Sequence, residues 1–213
     1  MNTLLPWASL VLQIMEWLAT AAFALSGIIA AARKRMDVVG VCVVACLAAF
    51  GGGTLRDLLL DHRPFFWVRQ QEALIGVFAL CLLAIILMRQ KHMGWTERAI
   101  LWPDALGLAL FNASGVHLAL QAHMPGFVAI LMGVITGIFG GVLRDMVCNE
   151  VPATLRDHRP YAVCAFAGGA LFVLLDAAGQ PAAVGMTACA LLTLGLRALA
   201  IWRNWTLNRW GDN

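Results

Sequence analysis

The residues of this chain that could do chemistry fall in two copies of one word, Gly51-Gly52-Gly53-Thr54-Leu55-Arg56-Asp57 and Gly140-Gly141-Val142-Leu143-Arg144-Asp145. Each word closes an apolar run long enough to cross a bilayer, where Arg and Asp are costly and mark an ion path or a pair. Consecutive glycines loosen a helix, because Gly loses the most backbone freedom on folding and leaves its peptide groups uncovered. Broken backbone is tolerated in a membrane only beside protein or water. The chemistry to expect is passage of a small ion or polar solute along helices kinked at Gly51, Gly52, Gly53, Gly140 and Gly141. Neighbouring residues point about 100° apart on a helix, which disfavours Arg–Asp pairing within one word. One expectation is therefore a cross-pairing of Arg56 with Asp145 and Arg144 with Asp57; the other is that all four snorkel to headgroups or water.

Other polar residues lie close by. Ser26, Asn112, Ser114, Thr54 and Thr136 could return hydrogen bonds to freed carbonyls or line water along the path. Glu16 and Asp104 stand near the heads of the first and fourth runs. Asp104 follows Pro103, a helix-start signature, so capping is one reading and a cation-attracting mouth the other. His117 is the one histidine within a run, near its end, and reads as interfacial. Cys42 and Cys46 share a helix face, yet no His or carboxylate nearby completes a metal set, so the cysteines read as small packing residues. Neither a metal nor a cofactor is expected. A nucleophile elbow, an H-E-x-x-H pair, a phosphate loop and a dinucleotide fingerprint are all missing from the sequence, so an enzyme is not expected.

These residues need spanning helices to position them. The 213-residue chain is 61% hydrophobic and 13% charged, with a mean hydropathy of +0.79, which a polytopic membrane protein requires. Its net charge of +3 is spread between apolar runs, so nucleic acid is not an expected partner. Apolar runs cover about 11–32, 38–60, 73–88, 101–120, 127–147, 161–175 and 182–201. Trp7, Trp67, Trp95, Trp102, Trp202, Trp205 and Trp210 flank them as an interfacial belt, while Glu16 and Trp17 suggest a first span starting near Ile14. Basic residues cluster after the first, third, fifth and seventh runs, which puts the N-terminus outside and the C-terminus in the cytoplasm.

Sliding the chain by 88 positions lays Glu16 on Asp104, Phe23 on Phe111, Ser26 on Ser114 and Gly27 on Gly115. The same shift lays Gly52, Gly53, Leu55, Arg56, Asp57 and Pro64 on Gly140, Gly141, Leu143, Arg144, Asp145 and Pro152. A repeat of three spans is odd-numbered, so its second copy inserts upside down. The expected fold is an all-α membrane protein in one transmembrane domain: a first three-helix repeat over 10–90, an inverted second over 98–178, and a seventh helix over 180–203. Gly133, Gly137 and Gly141, with Ala45, Ala49 and Gly53 in the first copy, form small-residue stripes for close helix packing.

The doubled word resembles those of the bacterial and archaeal trimeric intracellular cation (TRIC) channels, as do Cys148-Asn149-Glu150-Val151-Pro152 and Pro64-Phe65-Phe66-Trp67. The resemblance covers about residues 10–202. It implies a homotrimer in a prokaryotic inner membrane, with one monovalent-cation pore per protomer lined by the kinked second and fifth spans. Monovalent cations, chiefly potassium and then sodium, and membrane lipids are the implied partners. Family members are also described as glycine transporters, so a carrier for glycine or a similar small amino acid is the alternative. The lysine-bearing motif of the animal channels is not evident.

Overall fold

The computed structural model describes residues 6–89, 97–156 and 160–205. Among them the chain is entirely helical: α1 (Pro6–Arg33), α2 (Val38–Leu59), α3 (Phe66–Arg69), α4 (Gln71–Arg89), α5 (Glu97–Gln121), α6 (Gly126–Val147), α7 (Ala153–Arg156), α8 (Ala162–Ala177) and α9 (Ala182–Trp202). Five helices, α1, α2, α5, α6 and α9, are long and apolar enough to cross a membrane, and α4 and α8 are shorter apolar helices. The seven runs of the sequence are thus seven helices, to which the structure adds two single turns, α3 and α7, after the glycine words.

Local sequence fixes where the helices begin and end. Asp37 caps α2, its carboxylate accepting from the Gly40 N–H at 2.8 Å. Pro125 and Pro181, which lack a donor to lose, stand just before α6 and α9. Four of the left-handed residues that follow helices form two pairs at the repeat spacing: Arg35 with His123, and Asp61 with Asn149. After them the chain closes back identically, His62 N–H onto Asp57 O at 2.7 Å and Glu150 N–H onto Asp145 O at 2.9 Å.

Two starts differ from expectation. The first helix begins at Pro6, not near Ile14, so Glu16 and Trp17 lie well inside it. The fourth spanning helix begins at Glu97, which places Pro103 and Asp104 inside α5 and removes the capping reading of Asp104. Pro103 is within the second turn, where few helical bonds are lost.

The core is a crossing of α2 with α6 and of α1 with α5. Phe23 of α1 stacks on Phe111 of α5 with centroids 5.8 Å apart, one residue from each copy of the repeat. Hydrogen bonding of α2 and α6 runs unbroken through Gly51–Gly53 and Gly140–Gly141. A Cβ on Gly52 would strike the Thr136 carbonyl, and one on Gly140 the Ala48 carbonyl, so only glycine permits this crossing. Neighbouring glycines face different partners: Gly51 meets Leu143, Gly53 makes room for the Phe66 ring, and Gly141 faces Asp104 and Tyr161. Several small residues per turn are used because several neighbours approach closely.

Candidate functional site

Two clusters of buried charge, one built on each glycine word, form the site. In the first, Arg56 is fully buried and its Nε donates to Asp57 Oδ1 at 2.9 Å. Its Nη1 donates to Glu16 Oε1 at 2.7 Å and to Ser114 Oγ at 2.8 Å. The Nη2 atom lies 2.7 Å from Asp57 Oδ1 without hydrogen-bond alignment, and the guanidinium carbon sits 5.5 Å from the Phe66 ring centroid. In the second, Arg144 Nε donates to Asp145 Oδ1 at 2.8 Å, and its Nη1 donates to Asp104 Oδ1 at 2.6 Å and Ser26 Oγ at 3.0 Å.

The expected cross-pairing of Arg56 with Asp145 and Arg144 with Asp57 is corrected here: each arginine binds the aspartate beside it. The side chain of Arg is long enough to fold back across the 100° step, and each aspartate is held in place by its other oxygen. Asp57 Oδ2 accepts the Phe66 N–H at 2.7 Å, and Asp145 Oδ2 accepts the Ala153 N–H at 2.8 Å. The single turns α3 and α7 therefore anchor the acids. What does cross between repeats is the bond from each arginine to a serine. Burial also removes snorkelling, since all four charged side chains are enclosed.

Each cluster holds two carboxylates and one guanidinium, an excess of one negative charge in a low-dielectric setting. Glu16 and Asp104, the expected mouth residues, are buried partners of the arginines in mid-helix. A cavity of about 280 Å³ reaches Glu16, lined also by Leu12, Gln13, His62, Arg69 and Leu118. A second, of about 120 Å³, reaches Asp145 past Ala30, Arg33, Lys34, Ile100, Cys148 and Glu150. The repeat shift carries Leu12, Leu118 and His62 of one onto Ile100, Ala30 and Glu150 of the other. The first cavity joins the early part of α1 to the end of α5, and the second joins the end of α1 to the start of α5, so these helices run antiparallel. Two vestibules thus enter from opposite ends, each stopping at a charge cluster.

Outside the spans, His62 faces its vestibule with its ring nitrogens 3.2 and 3.3 Å from the Arg69 guanidinium and Nδ1 4.0 Å from Asp57. Burial first, and then the Arg69 charge, push its pKa below the ordinary histidine value. Lys34 and Glu150 pair at 2.8 Å beside the other vestibule.

The uncharged candidates divide. Thr54 and Thr136 return their hydroxyls to the carbonyls of Phe50 and Met132 in their own helices, at 2.7 and 2.6 Å. Asn112 ties α5 to Ala165 O of α8 at 2.8 Å and Thr193 Oγ1 of α9 at 3.1 Å. His117 is buried, not interfacial, and stacks on Phe172 with centroids 6.2 Å apart. Sequence reasoning missed Tyr161, whose hydroxyl donates to Asp104 Oδ2 at 2.7 Å, and Arg197, whose guanidinium carbon sits 4.5 Å from the Tyr161 ring centroid. The Nε and Nη1 atoms of Arg197 are buried without a hydrogen-bond partner. The signals were present: Tyr161 is the sole tyrosine, and Arg197 is the single charge inside the last apolar run.

The family model described as Glycine transporter matches residues 13–89 and again 101–177, two copies at the same displacement of 88 seen in the sequence. A UPF0126 membrane protein of Vibrio cholerae is 37% identical over 191 residues, 89% of this chain and 79% of that protein. The UPF0126 inner membrane protein YadS of Escherichia coli is 40% identical over 162 residues, 74% of this chain and 76% of that one. The crystal structure of the TRIC trimeric intracellular cation channel orthologue from Rhodobacter sphaeroides superposes with a TM-score of 0.84 at 33% identity, over 92% of this chain and 99% of that one. With both halves matched and relatives this similar over most of its length, the chain belongs to the glycine-transporter family of UPF0126 membrane proteins, and it folds as the prokaryotic TRIC channels do.

Proposed function

We propose that this protein is a monovalent-cation channel, passing potassium and also sodium, with one path through each protomer. The observation that carries this reading is the pair of repeat-related vestibules, each ending at a cluster with a surplus carboxylate. A surplus carboxylate at the inner end of an entrance favours cations over anions, with Arg69 at one mouth and Arg33 and Lys34 at the other setting how strongly. The likeness to a trimeric cation channel over nearly the whole chain supports it.

In this reading the three-helix units are inverted in the membrane, and α9 stands outside the repeat. Three such chains assemble in a bacterial inner membrane, with the N-terminus outside and the C-terminus in the cytoplasm. The contact of α2 with α6 at Gly52 and Gly140 closes the path at its centre in this reading. Opening bends those helices at Gly51–Gly53 and Gly140–Gly141, the points least able to resist it. The arginine clusters act as gates: a cation arriving at Glu16 from one vestibule, or at Asp145 from the other, competes with the guanidinium for the carboxylate. Thr54 and Thr136, freed when the helices bend, then face the ion.

Planar bilayers under a potassium chloride gradient test this reading. Unitary currents reversing near the potassium potential are expected; reversal at the chloride potential, or no currents, overturns it. A carrier for glycine is the second reading, favoured by the closed centre between two vestibules and by the family description. Saturable glycine uptake without unitary currents would select it.

A further inference from the structure

We infer that Ser26 and Ser114 are positioning residues that tie the two gates together, so that both ends of the path open in concert. The inference rests on the gate reading of the two clusters given above. Arg56 Nη1 donates to Glu16 on α1 and to Ser114 on α5. Arg144 Nη1 donates to Asp104 on α5 and to Ser26 on α1. Each guanidinium therefore bridges the same two helices with the roles exchanged: α1 gives an acid to one and a hydroxyl to the other, and α5 does the reverse. The result is a ladder with two rungs. Glu16 and Ser26 lie about 15 Å apart along α1, so the rungs hold the antiparallel pair at two well-separated heights.

Two further contacts couple the rungs. Both arginines ride on α2 and α6, which are locked backbone to backbone at Gly52 and Gly140. The Phe23–Phe111 stack falls between the rungs in both helices and joins them as one unit. The hydroxyl of Ser26 donates to Phe23 O at 2.9 Å while accepting from Arg144, so it is committed to the ladder and not to lining water. When a cation draws Glu16 away from Arg56, α1 keeps its packing on α5 at Phe23 and Phe111 but loses the first of its two guanidinium ties to that helix. Movement of α1 then pulls Ser26 off Arg144, and the far cluster loosens too. The sign of this coupling is positive. Alternating access in a carrier requires the opposite sign, closure at one end as the other opens.

Thiol accessibility in the full-length protein in liposomes reads the coupling without using currents. Cys148 is buried and lines the second vestibule, so its reaction rate reports opening there. With Cys42, Cys46, Cys81, Cys164 and Cys189 replaced by Ala, a cationic methanethiosulfonate is the probe. Glu16→Gln, at the other end, is expected to raise the Cys148 rate about threefold or more. Adding Ser26→Ala and Ser114→Ala should shrink that response to within about 1.5-fold, and Ser26→Thr with Ser114→Thr should restore it. If Glu16→Gln disturbs folding, Asp104→Asn with Gln13→Cys in the first vestibule repeats the measurement in the other direction. An unchanged Cys148 rate, a reduced one, or a response that survives loss of both hydroxyls overturns the inference. Missing potassium currents overturn the channel reading instead, and leave the thiol rates to decide the coupling.

Discussion

Gly52 of α2 and Gly140 of α6 meet backbone to backbone: a Cβ on Gly52 would lie 3.6 Å from Gly140 N and collide with the Thr136 carbonyl. Its repeat mate Gly140 is in the same relation to the Ala48 carbonyl. A backbone carbonyl cannot rotate aside as a side-chain tip can, so Gly52→Ala and Gly140→Ala each force the helices apart. The expected loss is about 1–3 kcal/mol or more, read as a lower Tm in detergent. Gly76, with no atom within 4 Å of its Cβ position, is the control. There Ala should be neutral or stabilising by up to about 1 kcal/mol, through helix propensity. Equal losses at Gly52 and Gly76 would remove close approach as the reason for the glycines.

Glu16 both binds Arg56 and lines the larger vestibule, so it acts on stability and on ion entry. Glu16→Gln removes the surplus charge and leaves Arg56 paired with Asp57, so the cost is that of one weakened charge-assisted hydrogen bond, about 1.5–3 kcal/mol. In currents, the loss of vestibule charge should reduce conductance about two- to tenfold at low salt and much less at high salt, because screening shortens the reach of the remaining field. A salt-independent reduction would mean that Glu16 acts only through packing.

The repeat, the helix count and the pairs Glu16/Asp104 and Arg56/Arg144 were legible in the sequence because side-chain identity survives an 88-residue shift. Where the acids point was not. Arg–Asp pairing within one word depends on α3 and α7, whose N–H groups fix Asp57 and Asp145, and a four-residue turn leaves no periodicity to read. Which of the two expected roles the threonine hydroxyls take was not legible either: in an unbroken helix the nearest acceptor lies in their own backbone, and Thr54 and Thr136 bond back to Phe50 and Met132. The contact of Tyr161 with Asp104 joins residues 57 apart and has no counterpart in the first repeat, so the shift that revealed the rest was silent about it.

Arg197 departs from the rule that buried charges are paired: it is 1% exposed, with Nε and Nη1 lacking hydrogen-bond partners. Its contact with the Tyr161 ring offsets part of the desolvation cost. Arg197→Met keeps the volume and removes the charge, so the Tm should be unchanged or rise, corresponding to about 1–4 kcal/mol at most. Tyr161→Phe, which deletes the bond to Asp104, should cost about 1–3 kcal/mol by leaving a buried carboxylate oxygen unpaired. A strongly destabilised Arg197→Met protein would show that the guanidinium has a structural acceptor after all.

His62 sets a pH dependence whose direction follows from its surroundings. Its neutral ring accepts from Arg69, and burial and that cation lower its pKa, against weaker opposing pulls from Asp57 and Glu16. The unfolded chain therefore takes up a proton at His62 near the ordinary value of 6.5, before the folded protein does. Its contribution to stability is fully present above that value and is lost as pH falls through it toward the lower folded value. Once protonated, His62 repels Arg69 and is drawn to Asp57, 4.0 Å away, where it competes with Arg56 for the carboxylate. Lowering pH from about 7.5 to about 5 should thus lower the Tm of the wild-type protein more than that of His62→Gln. The same change should raise the rate at which a cysteine at position 13 (Gln13→Cys) is modified, because the first cluster loosens next to it. A His62→Gln protein with the full wild-type pH response would assign the titration to another group.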